Sequence, residues 1–274
     1  MWRGIAPDLA GSLYLLTGAE PYSANLFEVA LPSGPLRQLA DNPPAYGISS
    51  FSASRAGIAL ATAENGWDQL RVIAAGRSAM WGDDGASVPS IDARGRVLAA
   101  RPSDTGYAIE LYAAGEPRRV LLPNDERSPA AVWGPGGSVL VAAPGERGVA
   151  GPTRIEVRDD RGRLVRDVGR PGGFFGLLAN PYPDRQPVTG VRPGREHGGF
   201  VLAADLASAV EVPRGWQIGC WNPPGTALLV VRGRRVGLWR PARPDEVRSI
   251  GTSSVPVHAC SWLREPLDRE GVAR

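Results

Sequence analysis

Side chains able to do acid–base, metal or nucleophilic chemistry are few in this chain. Its 274 residues include two histidines, His197 and His258, and two cysteines, Cys220 and Cys260. His258 and Cys260 stand two apart in VPVHACSW, so on a strand both point to one side. They read as part of a core or channel wall, because a zinc site draws on clustered Cys and His ligands. His197 falls in the loop sequence PGREHGG and reads as a solvated side chain. No metal and no cofactor is expected. Adjacent acids occur at Asp83-Asp84 and Asp125-Glu126. Such neighbours are ordinarily solvated turn residues, whereas a catalytic pair faces itself across a cleft. There is no Gly-x-Ser-x-Gly elbow and no strand-linked Gly-x-Gly-x-x-Gly loop. A phosphate loop ending in Gly-Lys-Ser/Thr is excluded by the absence of lysine. No catalytic residue is assigned.

Arginine is abundant instead. All 31 basic residues are arginine, set against 28 acids for a net charge of +3. The bias toward Arg, Ala, Val, Leu, Gly and Pro is the signature of a high-GC bacterial genome. Basic and acidic residues mostly alternate, whereas nucleic-acid binding clusters basic residues on one face, so no nucleic-acid partner is expected. With 43% hydrophobic and 22% charged residues, the chain can bury a core and is not a disordered tail. It has no run of 18 apolar residues, so no membrane span is expected. The start, MWRGIAPDLAGSLYLL, lacks the basic, apolar and cleavage regions of a leader. A cytoplasmic location follows for the chain as given; an extracytoplasmic one is the alternative if a leader was removed. Both cysteines precede a Trp, in CWNPPG and CSWLREP. They read as buried thiols in neighbouring repeats, with a disulfide between them as the alternative.

The elements that must carry these residues are strands. Short apolar runs recur between Gly, Pro, Asn and Asp, and sustained helical periodicity is missing. One motif repeats: an apolar lead residue, a small or polar turn, then an apolar strand. The lead residues are Ile5, Phe51, Ile91, Trp133, Leu178, Trp221 and Trp262, at intervals of 40 to 46 residues. A middle strand recurs six times, anchored at Leu26, Leu70, Leu111, Ile155, Phe200 and Val236. A fourth strand usually follows, as in PLRQLA and RRVLLP. Four strands in a repeat of this length describe a β-propeller blade. The expectation is an all-β, six-bladed propeller of four-stranded blades. The blades run roughly over 5–47, 48–87, 88–129, 130–174, 175–217 and 218–254. Seven lead residues against six middle strands imply that 255–263 supplies the inner strand of the first blade and closes the ring. A tail, 264–274, follows, and one propeller domain covers 1–274.

These turns and strands resemble the TolB-like six-bladed propellers. The matches to that family's Ser-Pro-Asp-Gly turn are Ala6-Pro7-Asp8, Gly134-Pro135-Gly136-Gly137 and Asn222-Pro223-Pro224-Gly225. LFEVALPSGPLRQLA is similar to its third and fourth strands. Blades 2, 3 and 5 depart from the turn pattern. The resemblance implies a fold and leaves the function open.

In a propeller, the loops from fourth strand to next first strand share a face with those from second to third. On that face the first three blades bring acids, among them Asp83 and Asp84. The later blades bring Arg147, Arg170, Arg192, Arg195, Arg214, Arg232, Arg234 and Arg235. Trp67, Tyr107, Phe174, Phe175 and Trp216 are interspersed. Arginine and aromatic residues are enriched at interface hot spots. A dipolar face of this kind steers a protein or peptide partner. The stretch 169–187 departs from the repeat and is a candidate docking loop. The function expected is therefore that of a non-catalytic binding or scaffolding propeller, monomeric, with a protein or peptide partner. Two alternatives stand beside it. One is a propeller enzyme (hydrolase, lyase or sugar-modifying) working at the channel mouth. The other is a gating propeller resembling that of the prolyl-oligopeptidase family.

Overall fold

Among the described residues every regular element but one is a strand, three to ten residues long, set between turn-forming residues. The computed structural model describes residues 9–18, 24–40, 47–64, 67–74, 77–82, 85–104, 106–125, 130–144, 152–168, 176–178, 189–191, 199–202, 209–265 and 267. The first strands are β1 (Gly11–Thr17), β2 (Asn25–Leu31) and β3 (Leu36–Ala40). A sheet of β4 (Ile48–Ser54), β5 (Gly57–Glu64), β6 (Trp67–Ala74) and β7 (Arg77–Gly82) follows. The next holds β8 (Ser87–Ile91), β9 (Val97–Ser103), β10 (Gly106–Tyr112) and β11 (Arg119–Asp125). After it come β12 (Ala130–Trp133), β13 (Val139–Pro144), β14 (Pro152–Arg158) and β15 (Leu164–Asp167), with a 3-10 turn at Pro135–Gly137. The strands β16 (Gly176–Leu178), β17 (Thr189–Val191), β18 (Gly199–Leu202) and β19 (Ala209–Glu211) make another sheet. The last repeat holds β20 (Gln217–Trp221), β21 (Leu228–Arg232), β22 (Arg235–Arg240) and β23 (Arg243–Thr252), and β24 (Val257–Leu263) ends the series.

All pairings between neighbouring strands are antiparallel. β24 does not add to the last sheet. It pairs with β1, setting Trp262 opposite Leu13 and Cys260 opposite Leu15, so that sheet runs β24-β1-β2-β3. The architecture is a β-propeller of four-stranded antiparallel blades. Five blades are full; the sheet of β16–β19 consists of strands only three or four residues long. In the sequence of this repeat Pro181, Pro183, Pro187 and Pro193 fall close together, and proline cannot donate to a ladder.

Each blade is covered on both faces, so strands near the centre are buried almost continuously rather than alternately. In GSLYLLT of β1, six of seven residues are buried. Apolar clusters lie between successive sheets. Tyr14, Leu16 and Leu26 pack on Ile48, Ile58 and Leu60. Leu98, Ile109 and Leu111 pack on Trp133, Val139 and Val141. Val201 packs on Trp221, Leu228 and Trp239, and Leu229 and Val231 pack on Leu13, Leu15 and Trp262. Inner-strand serines fix the angular register between blades. Ser52 Oγ accepts the Ile91 N–H at 3.2 Å, and Ser90 Oγ accepts the Trp133 N–H at 3.2 Å. Buried glutamates on third strands are satisfied locally, as burial of charge requires. Glu28 accepts from Tyr14 Oη at 2.9 Å. Glu110, with no exposure, accepts from Arg101 Nε at 2.8 Å and Tyr112 Oη at 2.7 Å.

The expectation of free thiols is overturned. Cys220 of β20 and Cys260 of β24 form a disulfide, with Cα atoms 5.4 Å apart. Two inner strands of adjoining sheets bring the residues to the same depth. Gly219 makes room, since a Cβ there would sit 2.9 Å from Cys260 Sγ. His258, two residues along, faces the Gly18 carbonyl at 3.1 Å through Nε2.

Candidate functional site

The most fully described surface cavity is a basin of about 760 Å³. It lies on the face made by the turns between first and second strands. That is the end of the propeller opposite to the loop face favoured by sequence. Its walls are the turns after β4, β8 and β12, the end of β14, and Pro223 and Arg264.

Two of the segments are the same device. In Asp92-Ala93-Arg94-Gly95-Arg96, Asp92 Oδ1 accepts the N–H groups of Arg94 and Arg96, both at 2.9 Å, and Oδ2 takes Arg96 Nε at 2.8 Å. In Asp159-Asp160-Arg161-Gly162-Arg163, Asp159 Oδ1 accepts from Arg161 N and Arg163 N at 3.0 and 2.9 Å, and Oδ2 takes Arg163 Nε at 2.6 Å. An aspartate that gathers its own backbone donors is an Asx-type clamp on a tight turn. Gly95 and Gly162 supply the left-handed position, at φ +81° and +85°. The donors around Asp159, the Arg163 N–H foremost, hold its carboxyl below the usual carboxylate range.

Neighbouring turns touch. Ser54 Oγ donates to the Asp92 carbonyl at 2.7 Å and accepts the Ala56 N–H at 3.1 Å. A Cβ on Gly95 would lie 3.6 Å from that of Ala56, and one on Gly137 3.7 Å from Arg96 Nη2. The Arg96 guanidinium lies 4.3 Å from the Trp133 ring centroid, a cation–π contact. It also reaches Asp160 at 3.4 Å. Trp133 Nε1 donates to the Arg96 carbonyl at 3.1 Å. Arg158 is engaged with Glu156 and with the Gly162 carbonyl. Two cations differ. Arg55 and Arg94 are exposed, and neither side chain meets a carboxylate among the described residues.

Of the residues expected to bind, Arg147, Arg170, Arg192, Arg195, Phe174, Phe175, Asp83 and Asp84 lie outside the described residues. Trp67 opens β6 opposite Glu64. Tyr107 is half-buried on β10 opposite Pro102. Arg214, on the loop leading into the last blade, and Arg232 and Arg234, at its β21–β22 turn, are exposed. The two loops adjoin, for a Cβ on Gly215 would be 3.5 Å from Arg232 Nε. Trp216 is less available than its loop position suggested. It packs against the cluster of Trp221 and Trp239 and lies over Gly237. On this end too, burial pushes the Asp68 carboxyl up, against the lowering effect of a 3.1 Å hydrogen bond from Ser49 Oγ. Among the described residues no group of three His, Cys, Asp or Glu is placed to hold a metal. None of the helical segments described is long and apolar enough to cross a membrane.

No family model and no curated protein matches the chain. Solved structures are similar in fold. TolB from Acinetobacter baumannii superposes with a TM-score of 0.73 at 14% identity, over 96% of this chain and 69% of that one. Virginiamycin B lyase from Staphylococcus aureus gives 0.56 at 13% identity, over 86% and 80%. A chain of the mitotic checkpoint complex gives 0.53 at 11%, over 96% and 84%. One is an enzyme by name and another part of an assembly, so the likeness assigns the β-propeller fold and no activity.

Proposed function

We propose that this chain is a non-catalytic binding propeller of six blades closed into a ring, which engages a protein or peptide in the basin on its first-to-second turn face. The observation that carries the reading is how the charges in that basin are used. Asp92 and Asp159 are committed to clamping turns, their oxygens taken by backbone N–H groups and an arginine Nε. Among the described residues what is left over is cationic: Arg55 and Arg94, on turns fixed by hydrogen bonds. Six four-stranded sheets and the β24–β1 pairing support the ring. The Cys220–Cys260 disulfide supports an oxidising, extracytoplasmic compartment, where such bonds persist.

A second reading places the partner on the opposite face, favoured by the exposed Arg214, Arg232 and Arg234 on adjoining loops. One experiment separates the two. Tagged protein captures its partner from host extract, followed by mass spectrometry, with charge reversals on each face. Arg55→Glu with Arg94→Glu is expected to abolish capture of a stoichiometric partner, and Arg232→Glu with Arg234→Glu to leave it intact. The reverse pattern moves the site to the other face, capture unaffected by either pair overturns both faces, and absence of any stoichiometric partner overturns the binding reading.

A further inference from the structure

We propose that the partner segment received by the basin is an acidic peptide, gripped through carboxylates by Arg55 and Arg94. This deepens the binding reading above and rests on it. The two guanidinium groups belong to turns of adjoining blades that are in contact. Ala56, next to Arg55, faces Gly95, next to Arg94, and Ser54 ties the two turns together. No carboxylate among the described residues answers either one. The other basin arginines, Arg96, Arg158 and Arg264, are already engaged. Arg96 is held by Asp92, Asp160 and the Trp133 ring. Arg158 is held by Glu156 and Gly162.

Guanidinium forks match carboxylates in a bidentate way and gain strength from charge. The turns that carry them are already fixed by hydrogen bonds, so the ordering cost on binding falls on the side chains and not on the backbone. A cavity near 760 Å³ lies within the range that encloses a multi-residue or drug-sized ligand. Its walls are not purely polar. Val157, Pro223 and Val165, the last with 67% exposure, offer apolar contact beside the cations. A peptide with carboxylates and an apolar side chain fits such a lining; a lone small anion leaves the apolar wall unused.

The test is calorimetric titration of the intact chain with hexaglutamate at low salt, with hexalysine and inorganic pyrophosphate in parallel. Hexaglutamate is expected to bind, with affinity falling as salt rises. Replacing both arginines (Arg55→Ala with Arg94→Ala) is expected to weaken it by at least about tenfold. Arg232→Ala with Arg234→Ala is expected to leave it unchanged. Absence of hexaglutamate binding, equal affinity in all variants, or binding of pyrophosphate alone overturns the acidic-peptide assignment. Capture of a host partner that still depends on Arg55 and Arg94 would then preserve the binding reading while removing this ligand class.

Discussion

Aspartates in this molecule are used in opposite ways, and pH separates them. Burial raises the Asp68 pKa above its unfolded value, so the folded state favours the proton there. Stability from that site is present at low pH and is lost as pH rises through the folded pKa. Ser49 Oγ has one proton and lies within reach of both Asp68 Oδ1 and the Ala61 carbonyl. A neutral side chain at 68 could donate instead. Asp68→Asn is therefore expected to stabilise the protein at neutral pH, with the gain vanishing in acid, measured by denaturant midpoints across pH. Asp159 runs the other way. Its lowered pKa contributes stability above the unfolded value, which is lost as pH falls through the folded one. Arg55 and Arg94 make a third case. Truncating either to Ala is expected to change stability by no more than about 0.5 kcal/mol, since neither holds the fold, while binding falls. Little of this was legible in sequence. The Asp-x-Arg-Gly-Arg pattern occurs at 92–96 and again at 159–163. It sits in different connections of the blade and out of step with the repeat, so a search by repeat period passes over it.

At the scale of elements, the strands were the most readable part. The lead residues Phe51, Ile91, Trp133, Leu178, Trp221 and Trp262 fall within β4, β8, β12, β16, β20 and β24, and the middle-strand anchors within β2, β6, β10, β14, β18 and β22. Burial on both blade faces makes these runs densely apolar, which is why they stand out. The pairing of Cys220 with Cys260 was less readable, because it depends on the depth of two inner strands from different sheets. The bond closes a loop of 40 residues across the sheets that hold both chain ends. Replacing both cysteines by Ser is expected to cost about 2–4 kcal/mol, seen as a lower thermal midpoint that reductant no longer shifts. Turn glycines carry their own cost. At Gly162 the backbone is left-handed, and a Cβ would collide with the Leu121 carbonyl. Gly162→Ala is expected to destabilise by about 1 kcal/mol or more, whereas Gly115→Ala, with open space around it, pays only the backbone term.

For the whole molecule, the shared sheet of β24 and β1 is the point on which the architecture depends. Removing 257–274 would leave β1 as an unpaired apolar edge and strip Trp262 from the cluster around Leu13 and Leu229. That truncation is expected to yield an aggregating chain without a cooperative melt, by circular dichroism and light scattering. Trp262, read in the sequence as a further first-strand lead, lies in β24, while Ile5, the lead of the first repeat, lies outside the described residues. The sequence favours the loop face for binding, and the basin lies at the opposite end of the propeller. Charged loop residues are common at both ends of a propeller, and only coordinates show which charges are already spent within turns. The central claim, that the turn face receives the partner, is tested most directly by hydrogen exchange on the captured complex. Protection is expected in the backbone amides of 54–56, 92–96 and 134–138. Protection confined instead to 213–216 and 233–235 would contradict it.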